Sequence, residues 1–154
     1  MTRILAVDLG TRRIGLALSD PTRSVAVPLD TLIHLERRKD LAAVATLARS
    51  HDVGRIIVGW PRNMNGTSGP AAKQAEAFAE ALRRIVSVPV DLWDERLSTV
   101  AAERTLRDAG VRRDRRSLLR DQVAASLILQ AYLAARPWDR EARAAGAEPP
   151  PAGS

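Results

Sequence analysis

Cysteine is absent from the 154 residues of this chain. That absence excludes a disulfide framework, a thiolate metal site and a cysteine nucleophile. Histidine is scarce, at two residues, His34 and His51. Both are expected at the surface or at helix ends. Lysine is nearly missing: Lys39 and Lys73 stand alone, and arginine supplies 22 of the 24 basic residues. No apolar run reaches the ~18 residues of a membrane-spanning helix. The N-terminus enters a β-like segment directly, without the charged start, apolar stretch and cleavage site of a signal peptide. A cytoplasmic protein with no membrane partner is expected. Hydrophobic residues at 45% and charged residues at 27% are ordinary for a globular chain. The length suits one domain, since domains cluster near ~100–150 residues.

What the chain has in excess is positive charge, a net of +6. A positive domain attracts polyanions, and nucleic acid is the commonest of these in a cytoplasm. The distribution says more than the sum. Residues 104–120 hold Arg104, Arg107, Arg112, Arg113, Arg115, Arg116 and Arg120 against Asp108 and Asp114.

Ile4–Leu9 and Ile14–Ser19 are short apolar runs of β-formers separated by Gly10-Thr11-Arg12-Arg13, which predicts a hairpin. Val25–Ile33 reads as a third strand, with Pro28 demanding an edge position or a bulge. Leu41, Val44, Ala45 and Ala48 repeat at helical spacing within Arg37–Ser50. Arg55–Val58 is a buried-type strand. Gly59–Gly69 is rich in turn residues and reads as a loop. Pro70–Ser87 is a helix with Ala75, Phe78, Ala79, Leu82 and Ile85 on one stripe. Val88–Trp93 is a strand, and Ser98 or Thr99 can cap a helix stopped by Gly110. Asp121–Ala135 is a last helix ended by Pro137. Residues 1–136 thus form one domain, and the proline-rich 137–154 is expected to be a disordered tail. Three antiparallel strands followed by strands alternating with helices predict a mixed α/β sheet flanked by helices.

Three acidic positions stand out against this frame. Asp8 lies near the end of the first strand, where a charge is costly unless paired or metal-bound. Asp94 and Glu95 end the fifth strand, and Asp121 opens the last helix. Sites commonly form at such strand ends. Carboxylates without cysteine suit a hard cation, Mg²⁺ or Mn²⁺, and do not suit zinc. Asp94 and Glu95 point to opposite faces of a regular strand. That strand reads as an inner one with both faces covered, so alternation leaves the choice between them open.

Four blocks in order resemble the YqgF family, also called RuvX. Asp8-Leu9-Gly10-Thr11-Arg12-Arg13-Ile14-Gly15 is similar to its D-x-G-T-x-x-I-G opening. Val58 to Thr67 resembles its V-G-x-P-x-N-M-x-G-T loop, and Asp94 to Thr99 its D-E-R-L-S/T block. Asp121 to Tyr132 resembles its D-x-x-A-A-x-x-I-L-x-x-Y helix. The resemblance implies an RNase H-like fold related to RuvC. It implies a nuclease that processes the 5′ end of pre-16S rRNA in ribosome biogenesis, with resolution of Holliday junctions as the alternative.

The implied chemistry is hydrolysis by two metal ions, ~3.5–4 Å apart, one activating water and one stabilising the leaving oxygen. Asp8 is the expected bridging ligand, with Glu95 and Asp121 completing one metal each. Glu95 is preferred to Asp94 from the family pattern. RuvC places two acids three residues apart on its last helix. Here Ala124 stands at that offset from Asp121. For nucleic-acid contact the expected residues are Gly10, Thr11, Arg12, Arg62, Asn63, Asn65, Arg96, Arg112 and Arg113. Precursor rRNA, branched DNA and ribosomal particles are the partners this implies, and the chain itself would be a monomer or a homodimer.

Two other classes compete. The D-x-G-T hairpin also opens actin-like sugar kinases and ATPases, but those need a second domain for which this chain has no room. A non-catalytic nucleic-acid-binding module is disfavoured because all three acids are present.

Overall fold

The computed structural model describes residues 2–97 and 115–144, with side chains described through 97 and from 124 to 141. Three strands open it: β1 (Arg3–Leu9), β2 (Arg13–Ser19) and β3 (Ala26–Ile33). Helix α1 (Arg37–Ser50), strand β4 (Val53–Trp60), helix α2 (Pro70–Arg83) and strand β5 (Val90–Asp94) follow. A short 3₁₀ turn spans Glu95–Leu97, and α3 (Arg115–Ala135) and α4 (Pro137–Ala144) close the described chain. Among the described residues no helix is long and apolar enough to cross a membrane.

The sheet order is β3-β2-β1-β4-β5. The first three strands pair antiparallel, and β1, β4 and β5 run parallel. The expected mixed sheet is therefore observed. Strand β3 is an edge, as Pro28 required, and the β2–β3 register shifts between Ile14 and Leu16. At the other end β5 is the opposite edge, so it is not the inner strand that left Asp94 and Glu95 undecided.

Period-2 alternation sends the strand residues to two separate cores. Leu5, Val7, Leu16, Ile56 and Val58 pack with Val44 and Ala48 of α1 and with Ala75, Phe78, Ala79 and Leu82 of α2. Ile4, Ala6, Ala17 and Ile57 pack beneath Ala124, Ala125, Ile128, Leu129, Tyr132 and Leu133 of α3. Each fully buried Ile, Leu or Phe contributes about 1.5–3 kcal/mol. Asp8, two residues beyond Ala6, lies on the α3 face.

Some boundaries differ from the sequence reading, each for a visible reason. Helix α2 stops at Arg83 rather than continuing to Ser87, and Ile85 is exposed. The Arg83 Nε donates to the carbonyl of Val90, at 2.8 Å, as the chain turns towards β5. Residues 137–144, the start of the expected tail, form α4, with Pro137 at its first position, and residues 145–154 lie outside the described residues. Composition underweighted one side chain there. Trp138 is buried, tilted against Tyr132 with ring centroids 5.5 Å apart. Arg136, in a left-handed conformation with φ of 49°, makes the corner between the two helices. The helix expected before Gly110 lies outside the described residues.

Candidate active site

The C-terminal ends of β1 and β4 lie side by side, Val7 opposite Val58. The site forms there. Asp8 is buried, 4% exposed, and sits opposite Gly15 in the β1–β2 ladder. The turn beyond it is fixed by Gly10, whose amide donates to the Arg13 carbonyl at 2.9 Å. A Cβ on Gly10 would meet that carbonyl oxygen at 2.5 Å, so the hairpin itself requires glycine. Thr11 and Arg12 at its tip are exposed.

Glu95 reaches the same place from β5. The strand ends at Asp94, and the 3₁₀ turn begins with Glu95, which is 3% exposed. The glycine at position 59 marks where the two carboxylates approach. The position of a Cβ built there is 2.9 Å from Glu95 Oε1, 3.7 Å from Asp8 Oδ1 and 2.8 Å from Ile128 Cδ1. An absent side chain on β4 thus leaves a hollow lined by two acids and roofed by α3. From the sequence Gly59 reads as the residue that ends the strand and opens the loop; the structure instead keeps it inside β4, which runs on to Trp60. A glycine held inside a strand marks the close approach of another group.

Asp94 goes elsewhere. Both its oxygens lie 3.0 Å from Arg96 Nε, and Oδ2 is 2.6 Å from Arg96 Nη2. Its Oδ1 also accepts from the Arg96 amide at 2.9 Å, and Arg62 Nη1 stands 3.7 Å from Oδ2. The Arg96 guanidinium, with the Arg96 amide and Arg62 adding to it, holds the Asp94 carboxyl below the usual carboxylate range. Asp94 is therefore the partner of two arginines, while Glu95 shares the hollow with Asp8.

Those arginines also fasten the loop after β4. Arg62 donates to the Gly66 carbonyl and lies over the Trp60 ring, 4.3 Å from its centre. Arg96 Nη1 reaches the Met64 carbonyl at 3.4 Å. Asn63, expected to meet nucleic acid, bonds Thr67 Oγ1 through its amide nitrogen at 2.9 Å. Asn65 Oδ1 accepts from the Thr67 hydroxyl at 2.6 Å. Gly66 takes a φ of 84°, the left-handed conformation a tight turn needs. The Asn-Gly chemistry thus builds a self-bonded loop, pinned by Asp94 through two guanidinium groups.

A carboxyl held low in the folded state stabilises it above its unfolded value, and that stabilisation is lost as pH falls through the folded value. The urea midpoint of the parent should exceed that of Asp94→Asn by a constant margin from neutral pH down to about pH 4, near the unfolded carboxyl. The margin should then shrink on further acidification. A margin that vanishes already at neutral pH would contradict the ion pair's contribution.

Asp121 lies in α3, and its side chain is outside what the structure describes. Arg112 and Arg113 also lie outside the described residues. Among the described residues no group of three His, Asp or Glu gathers as a metal cluster. His51 is the C-cap of α1, and His34 pairs with Asp40. Trp93 packs edge-on against Tyr132 at 5.2 Å, as a core residue should.

Residues 2–135 match the model of the RuvX family, described as Holliday junction resolvase. A Myxococcus xanthus (strain DK1622) protein named "Putative pre-16S rRNA nuclease" is 47% identical over 140 residues, covering 90% of this chain and 93% of the other. A Moorella thermoacetica protein of the same name is 49% identical over 131 residues, 85% of this chain and 94% of the other. The solved structure of Thermus thermophilus RuvC is 15% identical, with a TM-score of 0.51 over 89% of this chain and 97% of that one. That likeness is one of fold, and with the mixed five-stranded sheet it bears out the RNase H-like architecture. By the family match across nearly the whole described chain, and by relatives near half identity, this protein belongs to the RuvX family.

Proposed function

We propose that the chain is a divalent-metal-dependent nuclease that hydrolyses phosphodiester bonds, with precursor 16S rRNA as its substrate. The observation that carries this reading is the convergence of two buried carboxylates, Asp8 and Glu95, on the hollow left by Gly59. Two anionic side chains brought together in a largely dry place suit a hard cation. The hollow also leaves room where any other residue would put a Cβ. Mg²⁺ or Mn²⁺ fits this donor set, and two ions suit the reaction. Asp8 would bridge them, Glu95 would hold one, and Asp121 the other. Asp121 precedes Ala125 by four residues and Ile128 by seven, a spacing that keeps one helix face. The metals would supply an activated water and stabilise the leaving oxygen.

The remaining work falls to the protein. Gly10 keeps the hairpin tip low enough for a phosphate to approach. Thr11 donates a hydrogen bond there, with Arg12 beside it. Arg62 and Arg96, oriented by Asp94, offer guanidinium groups to the strand on the β5 side. The loop's Asn63 and Asn65 serve by shaping that surface. Ribosomal particles in the cytoplasm are the matching partner, since precursor rRNA occurs there in assembling subunits.

Junction resolution is the second reading, favoured by the family's description. It requires two sites at a fixed separation. A cleavage assay with Mg²⁺ or Mn²⁺ should compare a structured precursor RNA with a four-way DNA junction. Cutting of the RNA at a defined position by a monomer is the expected result. Symmetric junction cutting by a dimer, with the RNA left intact, would replace the RNA assignment. Cutting of neither with either metal would overturn the nuclease reading.

A further inference from the structure

A second group of ionisable residues, Arg12, His34, Arg37 and Asp40, stands at the same end of the sheet. The His34 amide donates to the Arg12 carbonyl at 2.9 Å. That bond continues the β2–β3 register one step past the Arg13–Ile33 pair, so Arg12 and His34 stand opposite each other. Directly opposed residues on neighbouring strands have side chains on the same face. A cationic Arg12 placed so, beside a ring nitrogen that can donate, favours an anion nearby.

A protein anion meets part of this need. His34 Nδ1 contacts Asp40, whose side chain is 2% exposed. Asp40 Oδ1 also accepts from the Leu35 amide at 3.2 Å, and Arg37 Nη1 lies 3.9 Å from Oδ2. A buried carboxylate in the first turn of α1 therefore fixes the ring. The His34 side chain remains 32% exposed. With Nδ1 engaged, Nε2 is the nitrogen left for a ligand, and in the imidazolium it donates. One acid, Asp40, thus pairs with two basic groups, His34 and Arg37, and Arg12 stands opposite His34.

We propose that Arg12 and His34, side by side at the end of the β2–β3 ladder and backed by Asp40, form a second phosphate-binding subsite for the nucleic-acid strand. The strand order places it. Strand β1, carrying Asp8, is central, the Arg62–Arg96 pair lies on the β4–β5 side, and this pair lies on the β3 side. Two strand spacings separate β3 from β1, about 10 Å. A strand laid across the sheet end would meet cations on both sides of the carboxylates. Arg12 alone was expected to touch nucleic acid. The subsite adds His34 as a partner and Asp40 as the positioning residue, and it rests on the nuclease reading for its ligand.

The test uses the full chain carrying Asp8→Asn, a fluorescein-labelled stem-loop RNA with a single-stranded flank, and anisotropy across a salt series in mildly acidic buffer. His34→Gln should weaken binding by roughly fivefold to tenfold and lower the salt slope by about one. His34→Arg should restore both. A merely structural role would shift the thermal midpoint but not the salt slope, and arginine would not rescue it. Unchanged affinity and slope in His34→Gln would overturn the subsite while leaving the nuclease reading intact. Failure of the Asp8→Asn chain to bind the RNA at all would overturn both.

Discussion

Asp8→Asn is expected to abolish cleavage, by about a thousandfold, with little change in thermal midpoint, as for loss of a buried group that stabilises developing charge. The substitution keeps size and shape and removes the charge. Asp8 is almost fully buried, next to a hollow that Glu95 also faces. Its strand neighbours Ile4 to Val7 are fully buried, so the backbone position is held by packing rather than by the carboxylate. Relieving two close carboxylates of one charge offsets part of any lost hydrogen bond, so stability should stay near the parent's. Single-turnover cleavage with Mg²⁺, read beside a melting curve, separates the two effects. Activity within tenfold of the parent in a folded protein would remove Asp8 from the chemistry.

How much of this site could be read in the sequence follows from what sequence patterns report. Asp8 was legible because a charged residue closes an apolar β-run, an arrangement that needs a cause. The hairpin was legible from Gly10-Thr11-Arg12-Arg13 and the two short apolar runs of β-formers that flank it. The choice between Asp94 and Glu95 was not legible from alternation alone. It depended on β5 ending at Asp94, on the chain then turning into a 3₁₀ turn, and on which face α3 covers. All three are tertiary facts. Arg62 and Arg96 read as phosphate ligands, yet each is tied to Asp94 across 32 or 2 residues of sequence. Charge runs report field, not partner. Trp138 was lost to the compositional bias of its neighbours, because one large apolar side chain can fasten a helix that the average calls polar. The His34–Asp40 contact joins the end of β3 to the first turn of α1. Neither residue belongs to a motif, and only the packed corner brings them together.

Gly59→Val should cost roughly a hundredfold in cleavage, the scale of misplacing a reacting group by about 1 Å. It should also lower stability by about 1–3 kcal/mol through overpacking. Backbone strain plays no part, since Gly66 is the sole glycine with positive φ among the described residues. The effect is steric. Even the first added carbon meets Ile128 Cδ1 at 2.8 Å and Glu95 Oε1 at 2.9 Å. Both are ends of side chains and can move, but they move with different consequences. Displacing Ile128 loosens α3 from the sheet. Displacing Glu95 turns its carboxylate away from Asp8. The two can be separated with Gly59→Ala combined with Ile128→Val, which deletes the clashing Cδ1. Stability should then recover relative to Gly59→Ala alone, while cleavage should stay low because Glu95 remains displaced. Recovery of both together would assign the defect to the helix seat and leave Gly59 without a part in placing Glu95. Recovery of stability alone would make the missing side chain at position 59 a condition for the two carboxylates to act on one phosphate.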